Sequence, residues 1–329
     1  MTQHKDSLLE VRNLRKEFAL KKEGGAKRSL LAVERVSFDI AAGEVLALVG
    51  ESGSGKSTIG KMVLRLLPAT EGQVRFQGKS VFEASEKELK CMRGKMQIVF
   101  QDPFSSLNPN MRVGETLSEV LSIHFPDMSR EERAFRTVEL LAQVGLRAEH
   151  VGRYPHQFSG GQRQRIAIAR AIAVKPRLIV ADEPVSALDV SVRAQILNLM
   201  QKLQRDLGLA MLFISHDLGV VRHVADRVMV LYLGRVMEIG TTTELFERPK
   251  HPYTRALLSA APSLNPDAQR NRIVLQGDLP SPISPPSGCV FRTRCPYAQD
   301  RCAQHVPQLA DLGGGQQAAC LRIGELDFN

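Results

Sequence analysis

Val45-Leu46-Ala47-Leu48-Val49 is an unbroken apolar run, and the segment behind it, GESGSGKST over Gly50–Thr58, limits the fold of this chain more than any other stretch. A short continuous run of this kind reads as a buried strand, and Ile59–Leu67 beyond the loop reads as a helix. Strand, glycine loop and helix together are the setting that a GxxxxGK[ST] loop requires to hold phosphate. Gly50, Gly53 and Gly55 carry no side chains, so the backbone N–H groups of Gly50, Glu51, Ser52, Gly53, Ser54 and Gly55 can curl around phosphate oxygens. The positive end of the following helix adds to the attraction. Lys56 is placed to reach the β- and γ-phosphates of a nucleotide, the Ser57 hydroxyl to ligate Mg²⁺, and Thr58 closes the set.

Further along, Leu178-Ile179-Val180-Ala181 is a second buried-strand pattern, and it ends in two adjacent carboxylates. A core does not tolerate such a pair unless it acts on something charged. Asp182 is the candidate outer ligand of the Mg²⁺, and Glu183 the candidate general base that polarises an attacking water. A third run, Met211–Ile214, leads to Ser215-His216-Asp217, where an imidazole N–H from His216 can stabilise charge on a γ-phosphate. Gln101 follows the strand-like Met96–Phe100, and its side-chain oxygen is a candidate for Mg²⁺ or the attacking water. A glutamine or histidine in such a place is ordinary by itself; the order P-loop, glutamine, acidic pair, histidine gives each a task.

Phe158–Arg165 reads FSGGQRQR and opens the helical pattern Gln162–Ala173. Ser159 caps that helix, and its hydroxyl with the N–H groups of Gly160, Gly161 and Gln162 forms an anion site at a helix N-terminus. Around these motifs, strand patterns (Val33–Ile40, Val45–Val49, Leu178–Ala181, Met211–Ile214, Arg227–Tyr232) alternate with helical ones, which predicts an α/β sheet covered by helices. Between Gln101 and Pro176 strand signals give way to helical runs such as Arg130–Val144, so residues 101–176 read as an inserted helical subdomain. One P-loop and one signature segment make a single nucleotide-hydrolysing unit.

Composition excludes several classes. A chain of 329 residues with 43% apolar content can bury a full α/β core and leave room for an appendage. No run reaches the roughly 18 apolar residues that cross a bilayer, and Met1–Glu10 is charged where a signal peptide is apolar, which places the chain in the cytosol. The net charge of +9 suits a nucleic acid or a lipid surface. The basic residues are dispersed, Lys21, Lys22, Lys27 and Arg28 in one loop and Arg163, Arg165 and Arg170 in the signature helix. Aromatic residues do not interleave with them as in base-stacking proteins, so a solvated or membrane-facing surface is the reading and no nucleic-acid partner is expected.

After Gly240 the character changes. Leu279–Pro286 (LPSPISPP) is a stiff connector that can be neither helix nor central strand. Beyond it stand Cys289, Cys295, Cys302 and Cys320, with Cys91 lying apart. In a reducing compartment four nearby thiols suggest a metal, and zinc and a [4Fe–4S] cluster use the same ligands; free thiols remain open. Gly288 and the prolines predict loops with too little apolar surface to fix a fold, so that a metal supplies stability.

From about Leu8 to Gly240 the chain resembles the nucleotide-binding subunits of ABC transporters, on the P-loop, Gln101, FSGGQ, LIVADE, Ser186-Ala187-Leu188-Asp189 and His216 together. Phe158 stands where leucine is usual. The resemblance implies the ABC ATPase fold, ATP and Mg²⁺ as ligands, and an adenine-stacking aromatic at Phe18. It also implies that Ser159, Gly160, Gly161 and Gln162 cap the γ-phosphate on a partner subunit's P-loop, two subunits sandwiching two ATP molecules. His251-Pro252-Tyr253-Thr254 and GCVFRTRCPYAQDRC resemble the tail of the peptide-importer subfamily, in which the four cysteines are associated with an iron–sulfur cluster. The expected organisation is a nucleotide-binding domain over 1–250 and a tail over 251–329. Expected partners are a homologous ATPase forming a heterodimer, two membrane-spanning permease subunits meeting Asp102–Leu107, and a periplasmic solute-binding protein. The expected setting is the cytoplasmic face of a bacterial inner membrane, importing dipeptides or oligopeptides. The same subunit type serving nickel, haem or glutathione uptake, and a soluble ABC ATPase acting on nucleic acid or ribosomes, are the alternatives. An adenylate-type kinase fails on the signature.

Overall fold

A computed structural model describes residues 7–20, 28–102, 106–260 and 273–326. In chain order the strands are β1 (Ser7–Ala19), β2 (Ser29–Ala41), β3 (Val45–Val49), β4 (Glu71–Phe76), β5 (Lys79–Ser80), β6 (Met96–Val99), β7 (Leu178–Asp182), β8 (Ala210–Ile214), β9 (Arg227–Tyr232), β10 (Arg235–Thr241), β11 (Ala310–Asp311) and β12 (Gln317–Ala318). The helices are α1 (Lys56–Val63), α2 (Glu86–Lys95), α3 (Val113–His124), α4 (Arg130–Gln143), α5 (Gly160–Ile172), α6 (Val190–Leu207), α7 (Leu218–Val224), α8 (Thr242–Glu247), α9 (Pro252–Ala260) and α10 (Asp300–Gln304). They fall into two compact units, one of Met1–Leu8, Ile40–Glu44 and Glu83–Ile214, the other of Leu9–Asp39, Val45–Phe82 and Ser215–Asn329.

The first unit holds β8, β7 and β6 as adjacent parallel strands, with Val180 opposite Ile98 and Leu212. Every residue of β7 and β8 is buried, as an apolar run covered on both faces must be. Between residues 101 and 176 the described residues form helices and single turns without a strand. Capping boxes start α2 and α4, among other helices: the Ser85 hydroxyl accepts from the Glu88 N–H before α2, and the Ser129 hydroxyl from the Glu132 N–H before α4.

The second unit carries two kinds of sheet. β3 lies parallel to β9, with Leu48 opposite Met229, and β9 continues antiparallel through β10 to β12 and β11. A separate antiparallel sheet runs β2-β1-β4-β5. The sequence expectation had put Val33–Ile40 with the other strands in one helix-covered sheet, and the structure corrects it. The difference was written in the residues: β3 is uniformly apolar, whereas β2 alternates buried Val36, Phe38 and Ile40 with partly exposed neighbours, the pattern of a sheet wet on one face. Arg35, at φ 50°, shifts that alternation by one residue, so Val33 and Val36 both point inward.

The tail also departs from expectation. Residues 279–286 are neither helix nor strand, as their prolines require, but the segment beyond them is not a bare loop. β12 joins the edge of β10 with Ala318 opposite Glu238, and Val290 and Phe291 are buried at 2% and 1% exposure. The tail therefore owns apolar anchors, which weakens the argument that a metal must supply its stability.

Candidate nucleotide site

In the second unit the phosphate loop leaves β3 at Gly50, and its shape demands glycine. At Gly50, φ 154°, a Cβ would stand 2.2 Å from the Leu231 carbonyl oxygen; at Gly55, φ 97°, it would stand 2.4 Å from that of Ala32. α1 begins at Lys56, three residues before the helix expected from Ile59, because Gly55 itself is the left-handed residue that caps it. It ends at Val63 rather than Leu67, and Arg65 takes a φ of 50°. The Lys56 ammonium is buried and donates to the carbonyls of Gly50 (2.8 Å) and Glu51 (3.0 Å) and to Ser54 Oγ (3.3 Å). It thus lies along the inside of the loop, where phosphate oxygens can replace these acceptors. Ser52 and Gly53 are exposed at the tip, while Ser57 and Thr58 lie half-buried in the first turn of α1.

The Ser215 N–H donates to the Leu48 carbonyl at 3.1 Å, so the exposed His216 follows a residue docked on β3 beside the loop. Asp217 is the cap of α7, its Oδ1 accepting from the N–H groups of Gly219 and Val220. Phe18 is half-buried, with the Lys16 ammonium 4.9 Å from the centre of its ring. It is not a fully buried core residue.

In the first unit, Asp182 ends β7 at 7% exposure, and Glu183 follows in the left-handed region at φ 46°. A non-glycine residue in that conformation costs on the order of 1 kcal/mol or more and persists where surroundings impose it, typically at working sites. Here the Glu183 N–H donates to the Ile214 carbonyl at 3.0 Å, and its own carbonyl accepts from the Ser186 N–H and hydroxyl. The Gln101 amide donates to the Glu183 carboxylate at 3.2 Å. Two residues that lie 82 positions apart and were selected on sequence grounds are thus brought together at the end of β7. Of the expected permease-facing segment Asp102–Leu107, residues 103–105 lie outside the described residues, as do Lys21, Lys22 and Lys27.

The signature segment is also in the first unit. Ser159 Oγ accepts from the Gln162 N–H at 3.3 Å, and Gln162 Oε1 from the Ser159 N–H at 3.1 Å, a reciprocal cap on α5. Ser159 is exposed and Gly160 and Gln162 are half-buried, while Gly161 is buried in the first turn of α5. Gly161 cannot carry a side chain: a Cβ would lie 2.3 Å from Val192 Cγ1 on α6. The signature arginines are not surface charge, which corrects the sequence reading. Arg163 donates to the carbonyls of Pro155 and His156, Arg165 to that of Val144, and Arg170 to that of Ser106. Main-chain carbonyls are acceptors that no residue type marks, and those of Arg165 and Arg170 lie 21 and 64 positions away, which is why the sequence hid them.

The tail brings four more candidates together. Cys289, Cys295, Cys302 and Cys320 line one cavity of about 20 Å³ beside His251 and Phe291. Burial, with the neighbouring sulfurs adding to it, raises the thiols of Cys289 and Cys320 and pushes Cys295 up to about 11. Among the described residues, however, no group of three or more His, Cys, Asp or Glu side chains is arranged to hold a metal ion. The expected [4Fe–4S] cluster, or zinc, thus has the right soft donors around one cavity but no formed ligand geometry.

Comparison with known proteins decides the family. A model described as ABC transporter matches residues 33–186, and one described as oligopeptide/dipeptide transporter, C-terminal region, matches residues 237–302. The dipeptide transport ATP-binding protein DppF of Escherichia coli is 51% identical over 319 residues, 97% of this chain and 95% of that protein. The chain belongs to the ABC transporter ATP-binding family. The oligopeptide transport ATP-binding protein OppF of Haemophilus influenzae is 47% identical, over 98% of this chain and 99% of that protein. Among solved structures, the ATP-binding cassette MJ0796, a dimer bound to ADP and Pi in a post-hydrolysis state, is 32% identical with a TM-score of 0.64, over 71% of this chain and 98% of that one. The mixed α/β cassette fold and the ATPase class follow from this membership, with ATP and Mg²⁺ as ligands. No helix among the described residues is long and apolar enough to cross a membrane.

Proposed function

We propose that this chain is the ATP-hydrolysing subunit of a bacterial peptide importer. The observation that carries the reading is the pairing of one ATP cassette with a tail matched by the oligopeptide/dipeptide transporter model over residues 237–302. In this reading residues 1–250 form the nucleotide-binding domain, with a helical part over 101–176, and residues 251–329 form the importer-type tail. Lys56 and the loop N–H groups bind the phosphates, and Phe18 stacks on the adenine. Ser57 and Asp182, with Gln101, would hold Mg²⁺, which neutralises phosphate charge. Glu183 accepts a proton from the attacking water, oriented by the Gln101 amide, and His216 donates to the γ-phosphate. Ser159, Gly160, Gly161 and Gln162 serve the P-loop of a homologous partner in a heterodimer. Two permease subunits and a periplasmic binding protein complete the complex, which seats the chain on the cytoplasmic face of the inner membrane.

The four tail cysteines are proposed to hold a [4Fe–4S] cluster, with zinc as the alternative; either would cross-link the tail. Support comes from the donor set around one cavity. Metal analysis of anaerobically purified chain tests it: four irons with labile sulfide support the cluster, one zinc replaces it, and no metal returns four thiols. The importer reading is tested by co-purification from detergent-solubilised membranes. Permease subunits recovered with the chain support it, and recovery with ribosomes or nucleic acid alone contradicts it.

A further inference from the structure

Glu51 is the second residue of the phosphate loop, and a carboxylate is a poor neighbour for a triphosphate. Two groups from the tail grip it. Arg294 Nη1 meets the Glu51 carboxylate at 2.7 Å, with side-chain exposures of only 11% and 29%, and the Glu51 N–H donates to the Tyr253 hydroxyl at 3.1 Å. Both grips are built on rigid supports. Tyr253 is fully buried among rings, 4.8 Å from Tyr232 and 5.2 Å from Phe291 between centroids, and Phe291 lies 5.3 Å from Tyr232. The segment that bears Phe291 and Arg294 is closed by backbone bonds from Cys289 N–H to the Cys302 carbonyl, Arg292 N–H to that of Cys289, and Arg294 N–H to that of Phe291.

We propose that Arg294 is a positioning residue of the nucleotide site: from the cysteine-bearing tail it cancels the Glu51 carboxylate and fixes the start of the phosphate loop, so that the loop accepts an anion. The inference rests on reading Gly50–Thr58 as the ATP-binding loop. A buried fork-shaped cation suits this task, because a guanidinium stays charged when desolvated and holds a carboxylate in a fixed direction. Removing it releases a negative charge toward the phosphates and removes one of the two tail contacts that hold Glu51.

The test is calorimetric binding of Mg-ADP to the purified full-length chain. Arg294→Ala is expected to weaken binding about tenfold, the lower end for one charge-assisted hydrogen bond. Arg294→Lys, which keeps the charge, is expected to stay within about threefold of wild type. Adding Glu51→Gln to Arg294→Ala is expected to restore affinity to within about threefold, because the offending charge is gone. A merely structural arginine would show no such rescue. Wild-type affinity in Arg294→Ala, or a double variant as weak as the single one with unchanged circular dichroism, overturns the proposal. If Arg294→Ala does not fold, Arg294→Lys and the double variant still decide it. A wild-type chain that fails to bind Mg-ADP removes the ATP-loop reading itself, and this proposal with it.

Discussion

Acidification should loosen the tail through His251. This ring is fully buried at 1% exposure, its Nδ1 accepts from the Tyr253 N–H at 3.1 Å, and it hydrogen-bonds to the backbone of Ala319. Burial lowers its pKa from 6.5 to about 3. The folded pKa is depressed, so the stabilisation is present above pH 6.5 and is lost as the pH falls toward 3, because the unfolded chain takes up a proton that the folded one refuses. At pH 5 an ordinary histidine is protonated about thirtyfold over neutral, which costs the folded state about 2 kcal/mol relative to pH 7.5. Protonation at Nδ1 would also turn the acceptor toward the Tyr253 N–H, two donors facing each other. Glu238 acts in the opposite sense. Burial raises its carboxyl while the N–H groups of Lys250 and His251 and the Gln316 amide hold it, so its contribution is present below 4.5 and fades as the pH rises. The clean measurement is therefore a difference: urea unfolding of wild type and His251→Asn at pH 7.5 and pH 5, followed by near-ultraviolet circular dichroism. With no tryptophan and four tyrosines, that signal reports on the ring cluster holding Tyr232 and Tyr253. Wild type should lose about 2 kcal/mol more than the variant between the two pH values. An equal loss in both would refute the argument.

Glu183→Gln should lower ATP turnover about 10² to 10⁴-fold while leaving ATP binding intact, as expected of a general base; phosphate release from the assembled complex with a parallel binding assay checks both halves. Ser159→Arg, introduced only in this chain, should empty the site formed on the partner's P-loop and spare this chain's own, which nucleotide occupancy in a structure of the complex would show. Gly161→Ala forces a methyl to within 2.3 Å of Val192 Cγ1 and should destabilise by about 1–3 kcal/mol, read as a lower thermal midpoint.

The residues that the sequence revealed are those whose chemistry is local. The P-loop, the Asp182–Glu183 pair and the Ser159 cap each lie within a few positions of the strand or helix that presents them, so pattern and spacing suffice. β2 was legible as a strand but not as a member of a separate antiparallel sheet, because membership depends on pairing elsewhere in the chain, as where β1 meets β4 with Val11 opposite Val74. The inward role of Arg163, Arg165 and Arg170 was hidden, since their acceptors are backbone carbonyls that no residue type marks. The grip of Tyr253 and Arg294 on Glu51 spans 202 and 243 positions and left no signal in the intervening sequence. Tyr253 and the FRTR run stand in segments singled out for other reasons, and only the fold joins them to the P-loop.

The central claim, that ATP hydrolysis by this chain drives peptide import, is tested most directly by uptake of a labelled dipeptide into cells lacking the chain. Complementation with the wild-type chain should restore uptake, and complementation with Glu183→Gln at equal expression should not. Uptake unchanged by loss of the chain, or restored equally by the Glu183→Gln variant, would contradict it.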